Sequence, residues 1–143
     1  MKRVVALLVG SASLVAAASL MLAPRNAAAS DNSFALSVNV PAAKKGQRAV
    51  VRVHIAPGSG YHMNKDFPTA LVLTAPEGVA VEKLRQNAKD AVKLEEAGAD
   101  FDVALTASAV GKQVVTGDLK FAVCTATSCD PKREKLSFTV DVK

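Results

Sequence analysis

The chain has no tryptophan, a single tyrosine and only five phenylalanines. So few flat rings leave little with which to stack bases or sugars, which argues against a base-stacking or carbohydrate-stacking surface as its main work. Neither a G-x-S-x-G elbow nor an H-E-x-x-H helix occurs, and Gly58-Ser59-Gly60 is too short to cradle a phosphate. Internal repeats are missing, and no low-complexity segment lies beyond the N-terminal region. An excess of one charge is missing too. Lys2, Arg3 and Arg25 precede Ala29, and after it 15 basic residues face 13 acidic ones, a balance of +2 that gives nucleic-acid binding no compositional support.

What is present begins with an export pattern. Lys2 and Arg3 form a short positive region, Val4 to Leu22 is almost wholly apolar, and Ala27-Ala28-Ala29 offers small residues for cleavage. The apolar run approaches the ~20 residues that span a bilayer, so an uncleaved anchor is the competing reading. Gly10, Ser11, Ser13 and Ser19 interrupt it, and Pro24 ends a helix before the alanines. No cysteine lies near, which excludes a lipoprotein signal. The expectation is a signal peptide over 1–29 and one domain over 30–143, periplasmic or secreted and free of the membrane after cleavage. A chain of that size can build one hydrophobic core.

Alternation with period two dominates residues 30–143. Phe34, Leu36, Val38 and Val40 share one face; Ala49, Val51, Val53 and Ile55 repeat the pattern, with Arg52 and His54 opposite. Pro57-Gly58-Ser59-Gly60 marks a turn. Shorter strands are expected over Thr69–Thr74 and Val79–Leu84, and Phe101, Val103 and Leu105 alternate again. Gln113–Cys124 and Lys135–Val142 complete the set. Val81 to Ala97 is ambiguous, because Val81, Leu84, Ala88, Ala91 and Leu94 also fit a helical spacing. The fold class predicted is all-β, an antiparallel immunoglobulin-like β-sandwich of about seven or eight strands.

Chemistry concentrates in Cys124-Thr125-Ala126-Thr127-Ser128-Cys129. Two cysteines in an exported chain are expected to be oxidised to each other. A loop this short contributes only ~2 kcal/mol by chain entropy, so a purely structural staple would be a weak one. Leu119, Phe121 and Val123 share one face, which puts Cys124 with Lys120 and Ala122 on the other and predicts that it starts near solvent. Cys129 is expected in an accessible Thr/Ser/Asp/Pro turn, followed by Lys132-Arg133-Glu134-Lys135 as a solvated turn. An accessible, weakly constrained bridge suits thiol exchange.

Gly60-Tyr61-His62-Met63 after a Pro/Gly turn, then Phe121-Ala122-Val123-Cys124 and a close second cysteine before Pro131, resembles the N-terminal periplasmic domain of DsbD, the membrane thiol:disulfide interchange reductases. The resemblance spans most of residues 34–143. It implies an immunoglobulin-like sandwich with Cys124 and Cys129 as the catalytic pair, accepting electrons from a thioredoxin-like or membrane-bound thiol reductase and passing them to exported disulfide proteins. That family commonly spaces its cysteines differently and shields them with an aromatic cap loop. Phe101 is the nearest candidate for a cap, although its phase places it in a core strand. The transmembrane and thioredoxin-like domains of the family do not lie within these 143 residues, so the resemblance implies separate partners.

Two other readings stand beside exchange. One is a non-catalytic exported β-sandwich, binding or scaffolding, whose bridge rigidifies a hairpin. The other is copper carriage by His62 and Met63 with His54, residue types that suit copper but are scattered over two elements. The cysteines alone would half fill a tetrahedral site. The sequence assigns no cofactor and no metal ligand.

Overall fold

The computed structural model describes residues 30–143; the predicted signal peptide lies outside them. Eleven strands follow in chain order: β1 (Ser30–Asp31), β2 (Phe34–Asn39), β3 (Arg48–Pro57), β4 (His62–Met63), β5 (Ala70–Thr74), β6 (Val79–Val81), β7 (Arg85–Asn87), β8 (Lys93–Glu95), β9 (Gly98–Ala107), β10 (Gly111–Cys124) and β11 (Cys129–Val142). They form two sheets. One runs β1-β2-β3-β9-β6 with β8 also on β9, and the other runs β11-β10-β5-β7 with β4 also on β10. All the strand pairs are antiparallel.

The order β2-β3-β9-β6 facing β11-β10-β5 is the A-B-E-D and G-F-C arrangement of an immunoglobulin-type sandwich. Its core is built by the alternation read from the sequence: Val51, Val53 and Ile55 of β3, Phe101, Val103 and Leu105 of β9, and Leu119, Phe121 and Val123 of β10 are all fully buried. Four of the five phenylalanines lie inside, with Phe34 edge-on to Phe121 at 5.0 Å between centroids. Among the described residues, no helix is long and apolar enough to cross a membrane.

The helical spacing over 81–97 is overridden. β6, β7 and β8 each find partners, and only Ala88–Asp90 makes a single 3-10 turn, closed by Asn87 and Asp90 in a reciprocal capping box. Gln86 explains part of this outcome: its side chain is buried and donates to the Asp102 carbonyl at 3.0 Å, which fixes β7 across the sandwich.

The last strand also begins earlier than expected, at Cys129 rather than Lys135, so the charged run 132–135 is strand and not turn. β11 is the outermost strand of its sheet, where proline and exposed charges are tolerated because one side needs no ladder partner. The Pro57-Gly58-Ser59-Gly60 turn has a tertiary cause as well. A Cβ on Gly58 would stand 2.2 Å from the Asn32 carbonyl oxygen, and the Gly58 amide donates to Ser33 O at 2.8 Å.

Candidate functional site

β10 and β11 pair in register from Gly111/Val142 to Cys124/Cys129, so the two cysteines are directly opposed at the end of a long hairpin. Thr125 N donates to Ser128 O at 2.7 Å, leaving Ala126-Thr127 as the tip. The Thr125 hydroxyl accepts from the amides of Thr127 and Ser128, which fixes that tip from a side chain. Since Thr125 and Ser128 are a hydrogen-bonded pair, alternation makes Cys124 and Cys129 a non-hydrogen-bonded pair, where opposed Cα atoms come closest. Their Cα atoms are 4.0 Å apart and their sulfurs are bonded at 1.98 Å.

Cys124 lies on the outer face, as its phase with Lys120 and Ala122 predicts, but it is buried there and not near solvent. The outer face of this hairpin carries successive cross-strand pairs: Cys124/Cys129, Ala122/Pro131, Lys120/Arg133 and Asp118/Lys135. Yet Cys124 is only 4 % exposed and Ala122 only 1 %, whereas Cys129 is exposed. Cys124 is flanked on both sides, by Cys129 of β11 and, in register on the other side, by His62 of β4. In an immunoglobulin-type sandwich the B–C and F–G loops share one end, and here those are the β3-to-β5 connection and the cysteine hairpin.

Asn64 anchors that connection. Its amide donates to Ala122 O at 2.9 Å, and its Oδ1 accepts from the amides of Asp66 and Phe67 at 3.0 and 3.2 Å. With Oδ1 so engaged, Nδ2 is the group turned to Cys129, 3.8 Å from Sγ. Phe67, further along, lies under the Lys120 ammonium at 5.1 Å. The aromatic beside the outer face is therefore Phe67, while Phe101 is fully buried between the sheets. Sequence reasoning missed both Asn64 and Phe67. The available signal was local: an Asx turn leading into Phe67-Pro68 directly after His62-Met63.

On the inner side the hairpin is tied to the first strands. Lys132 Nζ lies 2.8 Å from Asp31 Oδ2, 2.6 Å from Asp130 Oδ2 and 5.6 Å from the Phe34 ring, with only 15 % of the side chain exposed. Hydrogen bonds from Lys132 and Ser33 hold the Asp31 carboxyl well below the usual carboxylate range, and hydrogen bonding to Asp130 and then Asp31 raises the Lys132 ammonium. Arg48 lowers Glu82 and Arg52 lowers Asp102 in the same way on the opposite sheet. A carboxyl depressed in the folded state stabilises above its unfolded value and loses that contribution as pH falls through its folded value. The melting temperature should therefore drop progressively below about pH 4, and less steeply in Lys132→Met. Equal slopes in the two proteins would remove this contact from the acid response.

The suggested copper ligands do not converge. Met63 is 1 % exposed within the core, and His62 is its neighbour on a strand, pointing the other way. His54 belongs to the other sheet and bonds Asp100 Oδ1 through Nδ1 at 2.7 Å. Among the described residues, no three His, Cys, Asp or Glu side chains gather where a metal could sit.

No family model and no curated protein sequence matches the chain. Among solved structures, it is similar to domains 4 and 5 of the S-layer protein SbsC, with 14 % identity and a TM-score of 0.39 over 82 % of this chain and 53 % of that one. It is also similar to AggA, the major subunit of aggregative adherence fimbriae type I from Escherichia coli, with 4 % identity and a TM-score of 0.39 over 78 % and 97 % of the two chains. The chain thus spans about half the length of the S-layer fragment.

Proposed function

We propose that residues 30–143 are an exported thiol-disulfide exchange module of the kind resembled by DsbD N-terminal domains, with Cys129 as the sulfur that is attacked and Cys124 as the one that leaves. The observation that carries this is the asymmetry of the bridge: an exposed Cys129 on the edge strand joined to a buried Cys124 that lies between β11 and β4. A partner thiolate can approach only a sulfur it can reach. The hairpin beneath is already paired along its whole length, so its register does not depend on the bond. Partners would be a thioredoxin-like or membrane-bound thiol reductase on one side and exported disulfide proteins on the other.

A second reading, a passive exported β-sandwich with a structural hairpin bridge, is favoured by the burial of Cys124. The reduction potential separates the two. Exchange requires a value above roughly −300 mV, below which structural bridges typically fall. Reduction should also leave a folded protein, weaker by ~2 kcal/mol, which for a domain of this size lowers the melting temperature by about 8 °C. A potential under that mark, or unfolding on reduction, would transfer support to the passive sandwich.

A further inference from the structure

Displacement at sulfur runs in line, so a thiolate that expels Cys124 must reach Cys129 from the side away from Cys124. β10 holds Cys124 on one flank of β11, and the opposite flank is the free edge of the sheet. The attack direction is therefore the direction in which a further strand would be added.

The backbone of that edge is open. Counting from the Thr125/Ser128 pair, the odd-numbered residues of 129–141 direct their backbone groups away from β10. Asp141 fits this parity, since its carbonyl accepts from Ala43 N at 3.2 Å; beyond it, Lys143 N donates to Ala43 O at 2.9 Å. From Cys129 to Thr139 the edge has no backbone partner among the described residues. Pro131 lacks an N–H, but the donors of Arg133, Lys135, Ser137 and Thr139 remain.

A second observation concerns charge. Lys120 and Arg133 are opposed in a non-hydrogen-bonded pair, both cationic, and neither forms an ion pair among the described residues. Like charges so placed are unfavourable until an anion joins them.

We propose that the thiol partner of Cys129 docks as an added β-strand on the free edge of β11, with its cysteine opposite Cys129 and an acidic side chain four residues away against Arg133 and Lys120. This rests on the exchange reading above. Hydrogen-bonded antiparallel neighbours lie ~5.5 Å apart at Cα, within the roughly 4.4 to 6.8 Å that a disulfide spans, so the new bond is within reach of the docked strand. The partner thiolate bonds Cys129 Sγ, the Cys124–Cys129 bond breaks, and Cys124 departs as a thiolate that takes a proton from water. A second thiol of the partner then attacks the partner's own sulfur and releases Cys129. The partner dithiol is oxidised by two electrons and this chain's disulfide is reduced by two.

The test compares two reductants of the oxidised protein. One is glutathione, which needs no strand; the other is a Val/Thr-rich peptide with one cysteine and an aspartate four residues from it. The peptide should open the bridge about tenfold faster in wild type than in Ser137→Pro or Arg133→Glu, a difference on the scale of one or two net hydrogen bonds. N-methylating alternate peptide amides should remove the same advantage without altering the protein. Glutathione should act within about twofold on all three proteins, since the sulfurs are untouched. A peptide rate unaffected by both the substitutions and N-methylation overturns strand docking. Failure of both thiols to open the bridge overturns the exchange reading itself, and docking with it.

Discussion

Cys124→Ser is expected to form a stable mixed disulfide with a single-cysteine thioredoxin-like partner activated as a nitrobenzoate disulfide, whereas Cys129→Ser should form at least about a hundredfold less. The difference follows from access. Cys129 is exposed at the start of β11, with Asn64 Nδ2 3.8 Å from its sulfur, and Cys124 is 4 % exposed between β11 and β4. Lone Cys129 can reach the activated sulfur. Lone Cys124 can do so only if β4 moves away from β10, and that strand is held by Met63 N on Glu96 O and Asn64 N on Ala122 O, both at 2.9 Å. Mass spectrometry of the products under non-reducing conditions gives the answer directly. Equal yields from the two variants would remove the polarity assigned to the bridge.

Phe121→Ala should destabilise the protein by about 3 to 5 kcal/mol, because a fully buried ring leaves a cavity that rigid strands cannot close. In a domain of this size that lowers the melting temperature by about 12 to 20 °C. Phe121 meets Phe34 edge to face at 5.0 Å, and Phe34 in turn lies under Lys132, so the ring joins the first strands to the cysteine hairpin. The expected loss exceeds the ~2 kcal/mol assigned to the bridge. The core, and not the disulfide, would thus carry the hairpin's stability, as a reversible bond requires. A calorimetric loss smaller than that caused by reduction would invert this ranking.

The strand pattern was legible because its cause is local: one face of β3, β9 or β10 meets the core, and side chains alternate every residue. Val81 to Ala97 was not, since three-residue strands give too few alternations to outvote a helical spacing, and what decides them is pairing with β5 and β9. The early start of β11 was hidden by Pro131 and the charges 132–135, which signal a turn unless the strand is known to lie at an edge. Cys124 illustrates the same limit. Its face follows from parity, but its second flank is β4, a strand about sixty residues earlier in the chain.

By itself the sequence determined a two-sided β architecture and a cysteine pair placed at the junction of two strands, because alternation, turn residues and spacing act between near neighbours. Only the tertiary structure decided which sulfur meets solvent, that His62 and Asn64 flank the bridge, and which strand edge stays open. These depend on how sandwich topology brings the β3-to-β5 connection onto the β10–β11 turn, a contact between distant segments that no local pattern encodes.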